Sequence, residues 1–242
     1  MSSSSPSPLR AFFGVDRNAA RRSALSNLAR HTSHDTVLIA TTESNPAVND
    51  TSISKDLDEN DIDGLSKVVD DLGGRHLDLV LHGSPGGLDA AGELVFLLRS
   101  RDKSIRAIVP NSALSAMTLI TLVCDAAIMP DSALLGATDD RDGPQISSDQ
   151  AADWLAHNCE PTDVDRRIDA AALLFTNDDE ARSPITAAHA NDLGLPFHVV
   201  GQRSGIGAEL QPLGEFVDRA LRGHAIIKLI LNHRGVCYGV EA

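Results

Sequence analysis

Short continuous apolar runs, each bounded by turn residues, recur along the chain. Thr36 to Thr42 (TVLIATT), Leu77 to His82 (LDLVLH), Ile105 to Pro110 (IRAIVP) and Ala126 to Met129 (AAIM) lack polar alternation. That is the pattern of strands covered on both faces. Between them, apolar residues recur at helical spacing. Ile62, Leu65, Val69 and Leu72 mark a helix closed by Gly73-Gly74, and Leu88, Ala91, Val95 and Leu98 form the stripe of a helix from Leu88 to Arg101. A third, largely apolar helix runs from Ser115 to Cys124. Strands and helices alternating in units this short predict right-handed βαβ crossovers and one parallel sheet, with the four strands as neighbours.

The flanks read less sharply. Residues 1–9 are Ser/Pro-rich and expected to be a disordered tail. From Arg10 to Arg30 the recurrence of Leu25 and Leu28 predicts a helix, and Glu43 to Asp61 is an acidic, turn-rich segment. Asp139 to Asp149 is expected to be a loop, and residues 150–176 to be helical with a break near Glu160-Pro161. A short helix from Thr186 to Gly194, the strand PFHVV, a helix near 213–222 and a β-prone end complete the chain. There is no internal repeat and no clear linker, so residues 10–242 are expected to form a single domain. The apolar segment AIIKLIL, Ala225 to Leu231, is expected to contribute to a homo-oligomer interface.

Composition narrows the function classes. Aromatic residues are only 3%, so the core must come from Leu, Ile, Val and Ala, as suits layered strands and helices. The net charge of −13 argues against nucleic acid as a partner, because phosphate binding needs clustered Lys and Arg. Cys124, Cys159 and Cys237 form no C-x-x-C pair, which fits neither a disulfide framework nor a zinc site and points to a reducing cytoplasm. His31 and His34 lack the i, i+4 spacing of a helical metal pair, so neither metal nor cofactor is expected. No run approaches the roughly 18–20 apolar residues that span a bilayer, and MSSSSPSPLR lacks the apolar stretch of a signal peptide.

Two motifs carry chemistry. In His82-Gly-Ser-Pro-Gly-Gly87 the glycines let the backbone turn sharply after a strand and aim N–H groups into a cleft, where they could hold an oxyanion. Alone, such a sequence is also an ordinary strand-to-helix turn. In Asn111-Ser-Ala-Leu-Ser115-Ala-Met-Thr, a serine opens an apolar helix at the positive end of its dipole, with the Ala116 N–H beside it. Alone, this is also an ordinary N-cap serine. The order strand, SPGG, helix, strand, serine, helix, strand resembles Clp-type peptidase subunits and signal peptide peptidase A. Leu77 to Ala91, Ile108 to Ile120 and Leu135-Gly-Ala-Thr-Asp139 together resemble the serine dehydrogenase proteinase family.

That resemblance implies a Clp/crotonase-type α/β fold with a stacked parallel β-sheet and βαβ units. It implies Ser115 as nucleophile, an oxyanion hole drawn from Gly86, Gly87, Leu88 and Ala116, and a peptide or protein substrate. The general base is the open position. Family members often carry a Lys and a His before the Pro-Ile matching Pro184-Ile185, whereas Asn177 to Ser183 holds neither. A Clp-type His about 25 residues after the serine is also absent, since Thr138-Asp-Asp-Arg stands there. Asp139, His82 and Lys55 are the accessory candidates, each with an ordinary structural reading beside it. His82 reads as a satisfied strand-end histidine, Lys55 as a solvated loop lysine and Asp139 as a loop anchor. Two other functions stay open. One is a non-catalytic binding or assembly relative. The other is a crotonase-type acyl-CoA enzyme, disfavoured by a serine at 115 where glycine would be expected.

Overall fold

The computed structural model describes residues 10–15, 19–42, 54–70, 72–74, 76–101, 104–137, 146–159, 164–176, 184–201, 205–223 and 226–241. Its elements, in chain order, begin with β1 (Arg10–Val15), α1 (Ala19–Thr32), β2 (Asp35–Thr41), α2 (Glu59–Val69), β3 (His76–His82) and α3 (Leu88–Arg99). The middle of the chain gives β4 (Ser104–Ile108), β5 (Ser112–Leu114), α4 (Ala116–Val123), β6 (Ala126–Pro130), β7 (Leu134–Gly136), α5 (Ser148–Asn158) and α6 (Val164–Leu174). The last third adds β8 (Ile185–Thr186), α7 (Ala187–Asp192), β9 (Phe197–Val200), α8 (Gly207–Gly223), β10 (Ile226–Asn232) and β11 (Val236–Glu241).

The four apolar runs pair as expected. The large sheet has the order β1-β11-β10-β2-β3-β4-β6-β9, and β2, β3, β4, β6 and β9 are mutually parallel. Both faces are covered, which explains the unbroken apolar runs. Val37, Ile39, Leu79 and Leu81 pack with Leu65, Leu94, Leu98 and Ile120 on the side of α2, α3 and α4. Leu38, Ala40, Val80 and Ile108 pack with Leu25, Leu28, Leu213 and Val217 on the side of α1 and α8. A second sheet, β5-β7-β8, stands over the strand ends and joins the first through the Gly83–Ala113 bridge.

Three expectations need correction. The helix anticipated from Arg10 begins only at Ala19, because Arg10–Val15 is a strand paired antiparallel with β11 at the sheet edge. Residues 226–231 of that segment owe their apolarity to the protomer's own core. Every residue of β10 is buried, and the strand lies between β2 and β11. The helix near 213–222 starts earlier, at Gly207. The tail 1–9 and the break at 160–161 lie outside the described residues. Among the described residues, no helix is long and apolar enough to cross a membrane.

Candidate active site

The two motifs meet at the C-terminal ends of the parallel strands. Gly83 N–H donates to Ser112 O at 3.1 Å, and Leu114 N–H donates to Gly83 O at 2.8 Å. Ala116 N–H donates to Pro85 O at 3.1 Å, so the residue after Ser115 touches the SPGG turn directly. Gly87 caps the start of α3 at φ +84, and a Cβ there would stand 2.6 Å from Leu57 O. No L-side chain fits that position.

Ser115 sits on a sharp elbow between β5 and α4, at φ 56 and ψ −127. A serine in that conformation carries strain of order 1–3 kcal/mol. Its side chain makes no capping bond, and among the described residues the hydroxyl has no hydrogen-bond partner. The surroundings hold the elbow rigid. Ser115 N–H donates to Gly136 O at 2.8 Å. The buried Thr118 hydroxyl lies 2.6 Å from Ala113 O and 2.9 Å from Gly136 O, and it accepts the Gly136 N–H at 2.9 Å. Thr118 thus ties the strand before the serine to β7. The whole of α4 is buried, and Ser115 itself is only 2% exposed.

A short strap, residues 54–58, lies over the SPGG turn. Gly86 N–H donates to Asp56 Oδ1 at 2.5 Å. Lys228 Nζ, on β10, donates to Asp56 O at 2.6 Å, Asp58 Oδ2 at 2.8 Å and Asp61 Oδ2 at 2.6 Å. Asp58 and Asp61 also form the capping box that opens α2. Their carboxyls move in opposite directions. Burial pushes Asp61 above the usual carboxylate value despite its hydrogen bond to Lys228. At Asp58 burial also pushes upward, but the Lys228 hydrogen bond and charge, with two backbone N–H donors, outweigh it and lower the value. The nearby Tyr238 phenol is pushed up to about 12, by burial first and then by the surrounding aspartates.

The structure sorts the other candidates. Lys55 lies in the strap next to Asp56 and is partly buried. His82 shares the α8 side of β3 with Val80, and its Nε2 stands 3.7 Å from Asp218 Oδ1. It therefore turns away from the side covered by α4. Asp218 in turn accepts from Asn111 Nδ2 at 3.1 Å. Asp139 lies outside the described residues. Leu88 begins α3, and its carbonyl accepts the Trp154 indole N–H at 2.9 Å, which fixes α5 beside the turn. Among the described residues no group of three or more His, Cys, Asp or Glu is placed to hold a metal ion.

Sequence reasoning missed Asp56 and the role of Lys228. The latter left a signal: a lysine in the centre of a buried apolar strand needs anionic partners. A cleft of about 670 Å³ borders the site, lined by Leu57, Asp58 and Glu59 of the strap side, Gly86 to Ala90 and Glu93, and Ile146 and Gln150.

The profile of the ClpP-like SDH-type serine proteinases matches residues 18–181. An uncharacterized protein of Methanocaldococcus jannaschii is 41% identical over 101 residues, which are 41% of this chain and 33% of that protein. The chain thus spans about a third of that relative's length. Among solved structures, DspI of Pseudomonas aeruginosa has 16% identity and a TM-score of 0.45, covering 86% of this chain and 80% of its own. A monofunctional enoyl CoA isomerase of M. smegmatis has 15% identity and a TM-score of 0.46, with coverages of 86% and 84%. Likeness at that level assigns no reaction. The family match and the observed topology agree on the Clp/crotonase-type α/β fold.

Proposed function

The chain belongs to the ClpP-like SDH-type serine proteinase family, and from that premise we propose that it is a serine hydrolase of peptide bonds with Ser115 as nucleophile. The observation that carries this reading is the Ser115 elbow, a strained serine at a helix N-terminus whose hydroxyl has no structural bond among the described residues. Nucleophile elbows on other folds hold their serine in the same way, on a sharp strand-to-helix turn.

In this reading Ser115 Oγ attacks the scissile carbonyl carbon as its proton passes to a base. The carbonyl π electrons move to oxygen, and the oxyanion is held by the N–H of Ala116 and by N–H groups of the Gly86-Gly87-Leu88 turn. Collapse breaks the C–N bond and the base protonates the leaving amine. Water then releases the acyl group from the serine. Asp139 and Lys55 are the proton acceptors to test. The substrate is a peptide or protein, reached through the cleft beside the turn. We place the chain in the cytoplasm and as a homo-oligomer, the latter to be read by light scattering at micromolar concentration.

A non-catalytic role is favoured by one observation, the absence of any hydrogen-bonded base at Ser115 among the described residues. Incubation with a mixture of unfolded proteins separates the two. The hydrolase reading expects new peptide termini from the native chain and none from Ser115→Ala. A native chain that binds such substrates without cleaving them sinks it.

A further inference from the structure

Of the residues expected to offer N–H groups to an oxyanion, Gly86, Gly87, Leu88 and Ala116, two are engaged through a single peptide plane, those of Gly86 and Ala116. The Pro85–Gly86 peptide gives its N–H to Asp56 Oδ1 at 2.5 Å and its C=O to the Ala116 N–H at 3.1 Å. A trans peptide holds its N–H and C=O pointing in opposite directions. Fixing the N–H on Asp56 therefore fixes the carbonyl on Ala116. One carboxylate thus keeps the Gly86 and Ala116 donors occupied. Its bond to Gly86 is charge-assisted, and such bonds are roughly twice as strong as neutral ones.

We propose that residues 54–58 form an autoinhibitory strap, in which the Asp56 carboxylate stands where a reaction oxyanion's donors would otherwise be recruited. This rests on the hydrolase reading of Ser115. The strap is built to hold. Ser54 Oγ accepts the Asp56 N–H at 3.0 Å, which sets the local turn. Lys228 Nζ grips the Asp56 carbonyl from below at 2.6 Å, and the Leu57 side chain is buried in the core. Leu57 O lies so close to Gly87 that the turn could carry no side chain.

Opening requires only that the Pro85–Gly86 peptide rotate about its two flanking bonds. Pro85 fixes its own φ but not its ψ, and Gly86 accepts nearly any φ. Rotation swings the carbonyl off Ala116 and brings the Gly86 N–H round to the Ser115 side. The scissile carbonyl of a peptide lying at Ser115 would compete with Asp56 for that N–H, so the substrate itself is the agent that displaces the strap.

The test is amide hydrogen exchange by NMR on the full chain, native and Asp56→Ala, with fluorophosphonate labelling run in parallel. The strap predicts at least about tenfold faster exchange at both Gly86 and Ala116 in the variant, with Ile120 inside α4 unchanged. Asp56→Asn keeps the shape and a weaker acceptor, so it should fall between the two and serves if the alanine chain folds poorly. Faster exchange together with faster labelling of Ser115 supports the strap and the hydrolase reading alike. Faster exchange with no adduct in any chain keeps the strap and removes the hydrolase reading. Unchanged exchange at Ala116 overturns the strap, whatever the labelling shows.

Discussion

The turn from β3 into α3 and the turn from β5 into α4 deliver two helix N-termini to the same end of the sheet, yet one turns on glycine and the other on serine. At the first, Gly87 takes a positive φ of 84, where a side chain would meet Leu57 O. At the second, Ser115 takes a positive φ of 56, and among the described residues no side-chain bond compensates the strain. Ser33, the other described non-glycine residue with positive φ, follows the end of α1, where left-handed residues commonly terminate helices. Ser115 opens a helix, so that explanation does not extend to it. Where only the backbone path matters, the chain uses glycine. Where strain is kept with serine in place, the hydroxyl is what is being retained.

Substitution should cost most at the anchor under the first turn. Lys228→Met removes the cation beside Asp61, and both groups are buried. Stripping one partner from a buried pair costs about 3–5 kcal/mol. The sign with pH follows from Asp61, whose folded-state value already lies above its unfolded one. A carboxyl raised on folding destabilises above its unfolded value, and the penalty fades as pH falls. Urea midpoints of Lys228→Met should therefore drop far more at pH 8 than at pH 5. In the native chain Asp58 runs the other way. Its value is lowered, so its contribution is full above the ordinary value of 3.8 and is lost as pH falls through the lowered one.

Gly87→Ala is the next largest. It forces a Cβ against Leu57 O at positive φ and should cost about 2 kcal/mol in urea unfolding. The matching change at the second turn goes the opposite way. Ser115→Gly keeps the backbone path and removes the strain, so it should stabilise by about 1 kcal/mol while abolishing hydrolysis. If Ser115→Gly leaves stability unchanged or lowers it, the elbow is not strained and the contrast between the turns fails.

Most of the sheet was legible because its strands are buried runs alternating with amphipathic helices, a local pattern. β1 was not, since its six residues gain their partner only from β11 at the far end of the chain. β5, β7 and β8 are two or three residues long, too short for any periodicity to register. At the site, the meeting of Ser115 with the SPGG turn followed from both motifs standing at the ends of parallel strands. The side of the sheet that His82 faces could also have been read, from its parity with Val80. Nothing in a sequence tells which way the Pro85–Gly86 peptide faces, or that Asp56 arrives from thirty positions upstream to hold it. Those are tertiary facts. The buried Lys228 lies between the two cases, visible as an anomaly but not as an anchor.

The claim that Ser115 is an activated nucleophile is tested most directly by fluorophosphonate treatment of the native protein, followed by mass spectrometry of the peptide that carries it. An adduct on Ser115, absent from a Ser115→Ala chain that unfolds at the same urea midpoint, is the predicted result. Native and Asp56→Ala chains that both stay unlabelled, or a chain labelled at Ser112 or Ser84 with Ser115 untouched, would contradict it.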